Sequence, residues 1–198
     1  ADKGDIAGAE HHYQEALRIN PEDANAHYNY AIILDDKGDI SGAEHHYQEA
    51  LRINPNYAKA HNTYGHLLKK KKDIAGAKRH YQEALRINPK HAYAHYNYAN
   101  LLKKKGDMAG AERHYQEALR INPNYAKAHT SYAAFLVDKG DIAGAEHHFQ
   151  ESLRISLRID PHCPVTHHNY AAFLKKKGDI AGAEHHFQEA LRIDPKCA

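Results

Sequence analysis

The chain has 198 residues, 42% hydrophobic and 26% charged, with 27 Lys and Arg against 25 Asp and Glu. A net charge of +2 gives no strong pull toward nucleic acid or acidic membranes, and no apolar run approaches the roughly 18 to 20 residues that cross a bilayer. The opening ADKGDIAGAE lacks the basic-then-apolar order of a secretion signal, so the expectation is a soluble protein, or a soluble piece of a longer one, with neither nucleic-acid nor membrane partners.

Pro21, Pro55, Pro89 and Pro123 recur every 34 residues, Pro161 follows after 38, and Pro195 after 34 again. A period of this length predicts stacked repeats, not one globular core. Before the first proline stands a half unit, residues 1–21, in which Gly4-Asp5-Ile6 opens a second helix that has no first. Five full units are expected at 24–55, 58–89, 92–123, 126–161 and 164–195, so residues 1–198 form a single array. Both ends of that array read as unfinished, which predicts either flanking sequence or end-to-end self-association into a homo-oligomer.

In the first full unit His27, Tyr30, Ala31 and Leu34 recur at helical spacing, followed by Ile40, Ala43, Tyr47, Ala50 and Leu51. Two amphipathic helices follow from this. Lys37-Gly38-Asp39 separates them: the glycine suits the left-handed end of the first, and Asp39 can cap the second. Asn54-Pro55 ends the second, since proline disfavours a helical residue before it and offers no N–H. Ala43 and Ala50 allow close approach of the paired helices, with Tyr47 filling the space between.

The third and fifth units repeat these residues as Ala99, Ala111, Tyr115, Ala118, Pro123 and as Ala171, Ala183, Phe187, Ala190, Pro195. In small residues, aromatic and closing proline, the unit resembles the tetratricopeptide repeat. The resemblance covers essentially the whole chain and implies an all-α, right-handed superhelical solenoid of helix-turn-helix repeats. The sequence departs from the family pattern where His27, His61, His95, His129 and His167 fill the slot often held by Trp, where Lys72 replaces a turn glycine, and where Ser152 replaces an alanine. These departures bear on local packing.

In the fourth unit S-L-R-I occurs twice between Ser152 and Ile159. Four residues are about 1.1 helical turns, so this second helix should lengthen and end near Ile159. The readings are a neutral duplication or a change of pitch with an added contact ridge.

The resemblance further implies a scaffold that binds a peptide or partner protein on a concave face lined by the first helices, with no cofactor. Exposed candidates there are Asn25, Tyr28, Asn29 and Ile32, then Lys59, Asn62, Thr63 and His66, then Tyr93, Tyr96, Asn97 and Asn100. Lys127, Thr130, Ser131 and Ala134 follow, and finally Val165, His168, Asn169 and Ala172. Asn29, Asn62, Tyr93, Tyr96, Asn97, Asn100, Lys127 and Asn169 are the expected peptide contacts, through amide hydrogen bonds, ring burial and attraction of a carboxylate. A carboxylate clamp of the family's chaperone-binding type would fall on Asn62, His66, Asn97, Lys127 and Ser131, where only Asn97 and Lys127 match. An asparagine ladder fits Asn29, Asn97 and Asn169 but is interrupted by Thr63 and Ser131. Alternate units share A-H-Y-N-Y-A or N-Y-A-K-A-H, so a two-unit period overlies the first.

His11-His12, His45-His46, His147-His148 and His185-His186 lie on second helices. Sequence neighbours there point about 100° apart, so a pair cannot readily chelate one ion, and the expectation is exposed filler with no metal site. So many imidazoles near pKa ~6.5 also predict that the array loosens, or loses partners, at mildly acid pH. Lysines at 69–72, 103–105 and 175–177 end first helices and complement their negative termini; the alternative is a basic rim. Cys163 and Cys197 hold equivalent places in adjacent units, too far apart for a disulfide, and free thiols suit the cytoplasm. No phosphate-cradling loop, His-Glu-x-x-His or nucleophile elbow occurs, so no enzymatic activity is expected.

Overall fold

The structure is a computed structural model that describes residues 3–160 and 163–195, with side chains from Gly8 onward. Pro161 and Cys197, and with the latter the question of its pairing with Cys163, lie outside the described residues. Among the described residues there are eleven α-helices and no strand: α1 Lys3–Ile19, α2 Ala24–Lys37, α3 Ile40–Ile53, α4 Ala58–Lys70, α5 Ile74–Ile87, α6 Ala92–Lys104, α7 Met108–Ile121, α8 Ala126–Lys139, α9 Ile142–Ile159, α10 Pro164–Lys177 and α11 Ile180–Ile193. None is long and apolar enough to cross a membrane. Contacts divide the chain into two compact halves, 1–101 and 102–198, with the division inside α6.

The helix boundaries follow from local chemistry. Asp39, Asp73, Asp107, Asp141 and Asp179 each accept, through Oδ1, the N–H of the glycine three residues on, at 2.9 Å. Each cap satisfies a backbone donor that the helix leaves open and is worth ~1 kcal/mol. The chain reverses before these caps through Gly38, Gly106, Gly140 and Gly178, all at φ between 81° and 93°. Lys72 takes that place in the second full repeat and adopts φ 66°, alone among the described non-glycine residues. α1 differs from the other second helices: its backbone is already helical at Gly4 and Asp5.

In the first half α2 packs on α3 and α4 on α5, and α1 and α3 meet the first helices that follow them. Ala31, Ala43, Tyr47, Ala50, Ala60, Ala77, Tyr81 and Ala84 are fully buried. Gln14 donates to Tyr30 Oη at 2.9 Å, Gln48 to Tyr64 Oη at 3.0 Å and Gln82 to Tyr98 Oη at 3.1 Å. Each of these bonds ties a second helix to the next first helix. Salt bridges do the same at the far end, where Lys37 meets Glu10 and Lys71 meets Glu44.

The second half repeats the scheme, with α8 on α9 and α10 on α11, and with α7 and α9 against the first helices that follow. Gln116 donates to Tyr132 Oη at 3.1 Å, and Lys139 and Lys177 reach Glu112 and Glu146 at 2.7 Å. α9 runs 18 residues to Ile159, one turn longer than the 14 of α3, α5, α7 and α11, as the duplicated S-L-R-I requires. The contacts before the added turn keep their register: Gln150 still finds Tyr170, at 3.0 Å, although four more residues separate them. Ser152, in the slot held by alanine elsewhere, is buried and donates to Ala126 O at 3.0 Å, while its Oγ lies 2.6 Å from Thr130 Oγ1. The hydroxyl that replaces a methyl is thereby satisfied.

Candidate functional site

The first helices present the expected polar residues unevenly. In the first half Asn97 Nδ2 donates to Asn62 Oδ1 at 3.0 Å, so two of the expected peptide contacts form one amide pair between α4 and α6. Beside α4, Tyr28 Oη lies 3.4 Å from Thr63 Oγ1 and its ring centroid 5.0 Å from that of Tyr57, whose hydroxyl donates to Asn25 Oδ1 at 2.7 Å. Asn29 is half-buried on α2, and Tyr93 is exposed on α6, its ring edge-on to His91. Asn100 donates back to Tyr96 O, one turn earlier in its own helix, at 2.9 Å.

Tyr96 corrects the expectation of an exposed ring: it is buried, at 8%. The equivalent Tyr28 shows the physical reason. Tyr28 is half-buried, its ring centroid 6.2 Å from that of Tyr47 and 5.0 Å from that of Tyr57, so a ring at this position can pack against aromatics of neighbouring helices.

In the second half Lys127 and Asn169 line the same cavity, of about 460 Å³, between α8, α9 and α10. A second cavity of about 320 Å³ shares Thr130 and Asn169 with it. Its walls are Ala134, Val137, Phe149 and Phe173, with Asp138 and Lys176 at the edge. Lys127, Thr130, Ser131, Ala134, Val165, Asn169 and Ala172, expected on the first-helix face, line these cavities, whereas sequence reasoning did not reach Val137, Phe149 or Phe173.

The histidines also need correction. His45, His147 and His185 are exposed, but their neighbours His46, His148 and His186 are half-buried, and His80 is buried. His27 and His46 approach through their Nδ1 atoms at 2.8 Å, and His61–His80, His129–His148 and His167–His186 do so at 2.9 Å. His27, His61 and His129 also place Nε2 3.0 to 3.1 Å from a proline carbonyl, those of Pro21, Pro55 and Pro123. A carbonyl only accepts, so in the neutral ring Nε2 carries the hydrogen and Nδ1 is bare. The partner's Nδ1–H must then be the donor. Burial, followed by the facing imidazole, lowers His46, His80 and His148 to about 4. His61, His129, His167 and His186 are lowered too, with burial the largest cause. Among the described residues no three His, Cys, Asp or Glu side chains converge on a point where a metal could be held.

Residues 1–67, 68–135 and 102–156 match one family signature described as Tetratricopeptide repeat, and residues 165–197 match a second of the same description. The chain belongs to the tetratricopeptide-repeat family. Among solved structures it is similar to PilW, a type IV pilus biogenesis factor, with a TM-score of 0.83 and 20% identity over 98% of this chain and 88% of that one. It is similar to pilF of Pseudomonas aeruginosa, with a TM-score of 0.81 and 20% identity over 98% and 86%. It is also similar to YrrB, described as a TPR protein with an unusual peptide-binding site, with a TM-score of 0.64 and 23% identity over 93% of each chain. A comparison with curated proteins found no match.

Proposed function

We propose that the chain is a non-catalytic scaffold that takes an extended peptide, or a peptide-like segment of a partner protein, along the face built by the first helices. The observation that carries this reading is the pair of adjoining cavities on that face in the second half, Asn169 lining both and Lys127 the one of about 460 Å³. An asparagine amide offers a donor and an acceptor that match a peptide bond, and a lysine attracts a carboxylate. The Asn62–Asn97 pair gives the first half a similar amide surface. The peptide-binding site named for YrrB supports the same class of partner. A cytoplasmic setting belongs to the same reading, on the expectation that Cys163 and Cys197 are free thiols.

Selection from a random peptide display library tests this, with counter-selection against an Asn97→Ala, Lys127→Ala double variant. Peptides enriched on the native chain and lost on the variant are the expected result. Peptides retained equally by the variant would move the site off this face.

Ile180 and Leu191 on α11 are 54% and 41% exposed, which favours a second reading, self-association through that helix. Light scattering across concentration separates the two: a concentration-independent mass removes the second.

A further inference from the structure

Four pairs of imidazoles face each other across paired helices, His27–His46, His61–His80, His129–His148 and His167–His186, with Nδ1 atoms 2.8 to 2.9 Å apart. Their ring centroids are 5.0 to 5.2 Å apart. Atoms of a five-membered ring with bonds of about 1.33 Å stand about 1.1 Å from its centre, and two such radii added to the Nδ1 separation account for the centroid distance. The two nitrogens therefore lie close to the line between the ring centres. In each pair the Nδ1 positions point straight at each other.

The surroundings suit a cation. His27, His61 and His129 each donate from Nε2 to a proline carbonyl, which fixes the tautomer, leaves Nδ1 bare and orients the ring as the outer contacts of a metal-ligating histidine do. A first-helix tyrosine covers the second-helix imidazole, Tyr30 over His46 and Tyr64 over His80, with centroids 4.6 Å apart. Asp39 and Glu49 favour positive charge at His46, and Asp73 and Glu83 favour it at His80. Burial keeps both rings unprotonated down to about 4, so at neutral pH protons do not occupy their free nitrogens.

Two nitrogens in line, with no third His, Cys, Asp or Glu converging among the described residues, do not suit zinc, which takes three or four ligands, or calcium and magnesium, which take oxygen. A closed-shell monovalent ion that accepts imidazole and needs only two opposed ligands does fit. We propose that these pairs bind copper(I), one ion in linear two-coordination between the Nδ1 atoms of each pair. The second-helix ring moves its hydrogen from Nδ1 to Nε2, so the ion takes the place of that hydrogen and no proton is released. Metal–imidazole bonds of about 2 Å set the nitrogens about 4 Å apart, so the two rings together give way by about 1 Å. The exposed His45, His147 and His185, with centroids 5.0 to 5.1 Å from those of His46, His148 and His186, provide an entry path. At His80 the preceding residue is Arg79, whose charge opposes a cation, so the His61–His80 site is the weakest of the four. The sequence neighbours were the wrong pairs to weigh for a metal: the opposed ligands come from two helices. Because the pairs lie between helices and not on the first-helix face, copper binding and peptide capture stand or fall separately.

The test titrates the whole chain with copper(I), kept reduced by ascorbate under nitrogen, against the coloured chelator bicinchoninate. Thiolates also take copper(I), so the chain carries Cys163→Ser and Cys197→Ser. Uptake of at least four equivalents is expected, with an X-ray absorption edge of linear two-coordinate copper(I). Replacing His46, His80, His148 and His186 by Gln should remove four equivalents, with helicity checked by circular dichroism, and His46→Gln alone should remove one. Replacing the exposed His45, His147 and His185 by Gln should leave the stoichiometry unchanged. No uptake by the cysteine-free chain, equal uptake in the four-histidine variant, or loss confined to the exposed-histidine variant would each overturn the proposal.

Discussion

Tyr47 and Tyr81 are fully buried, and neither hydroxyl has a hydrogen-bond partner. A buried unpaired hydroxyl costs about 1 to 3 kcal/mol, while the ring itself fills the space between paired helices. Phe149 and Phe187 occupy the same slot in later repeats without that hydroxyl. Tyr47→Phe and Tyr81→Phe should therefore be neutral or stabilise by up to about 1 kcal/mol in urea denaturation. A clear loss of stability would mean that the hydroxyls are paired in solution. Lys72 offers a second case. A non-glycine residue in the left-handed region costs about 1 to 2 kcal/mol, and glycine stands at the equivalent turns. Lys72→Gly should raise the denaturation midpoint, by less than that cost because glycine also loosens the unfolded chain. An unchanged or lower midpoint would show that Lys72 bears no net strain.

At the scale of the helix, histidine pairs join α2 to α3, α4 to α5, α8 to α9 and α10 to α11, each through one Nδ1–H···Nδ1 bond. Such a bond holds one hydrogen, so protonating both rings sets two donors face to face. The lowered values mean that the folded state prefers the neutral rings, while the unfolded chain takes up protons near 6.5. Stability from the pairs is thus complete above about pH 6.5 and is lost as pH falls toward about 4. Glu49 and Asp39 act on His46 in the opposite sense, favouring its charged form, but they are outweighed by burial and by His27 and His45. Glu49 is also held by Arg52 at 2.9 Å, and Asp39 caps its helix through Gly42 N–H, so both offer limited compensation. Thermal unfolding followed from pH 7 to pH 4.5 should show a falling midpoint. Replacing His46, His80, His148 and His186 by Gln should flatten that slope, and an equal slope in the variant would assign the acid sensitivity elsewhere.

These pairs also mark how far helix-level reading goes. The Asp39-type caps and the glycine turns were legible because each is a local backbone requirement met by a particular residue. The half-buried members His46, His148 and His186 carried a signal as well: His46 is three residues after Ala43 and four before Ala50, on the face that meets α2, whereas His45 is turned away. Judged as sequence neighbours, the two looked alike. Tyr96 was misplaced because its position along α6 was read as outward, whereas its side chain is buried.

For the molecule as a whole, the 34-residue period made the family and its helix pairs legible, because every repeat has the same burial pattern. The cavities were legible only in part: the first-helix face supplied Lys127, Thr130, Ala134, Asn169 and Ala172, but the apolar walls Phe149 and Phe173 come from the packing of α9 and α10, which no local pattern reveals. The expected contacts Lys127 and Asn169 border one of those cavities, Asn62 and Asn97 bond to each other, and Tyr96 is withdrawn into the interior.

Peptide capture on the first-helix face is tested most directly by hydrogen–deuterium exchange of the whole chain with and without a display-selected peptide. Added protection confined to first helices, strongest in α8 and α10, is the predicted result. Protection on second helices alone, or on the outer surface of α11, would contradict it.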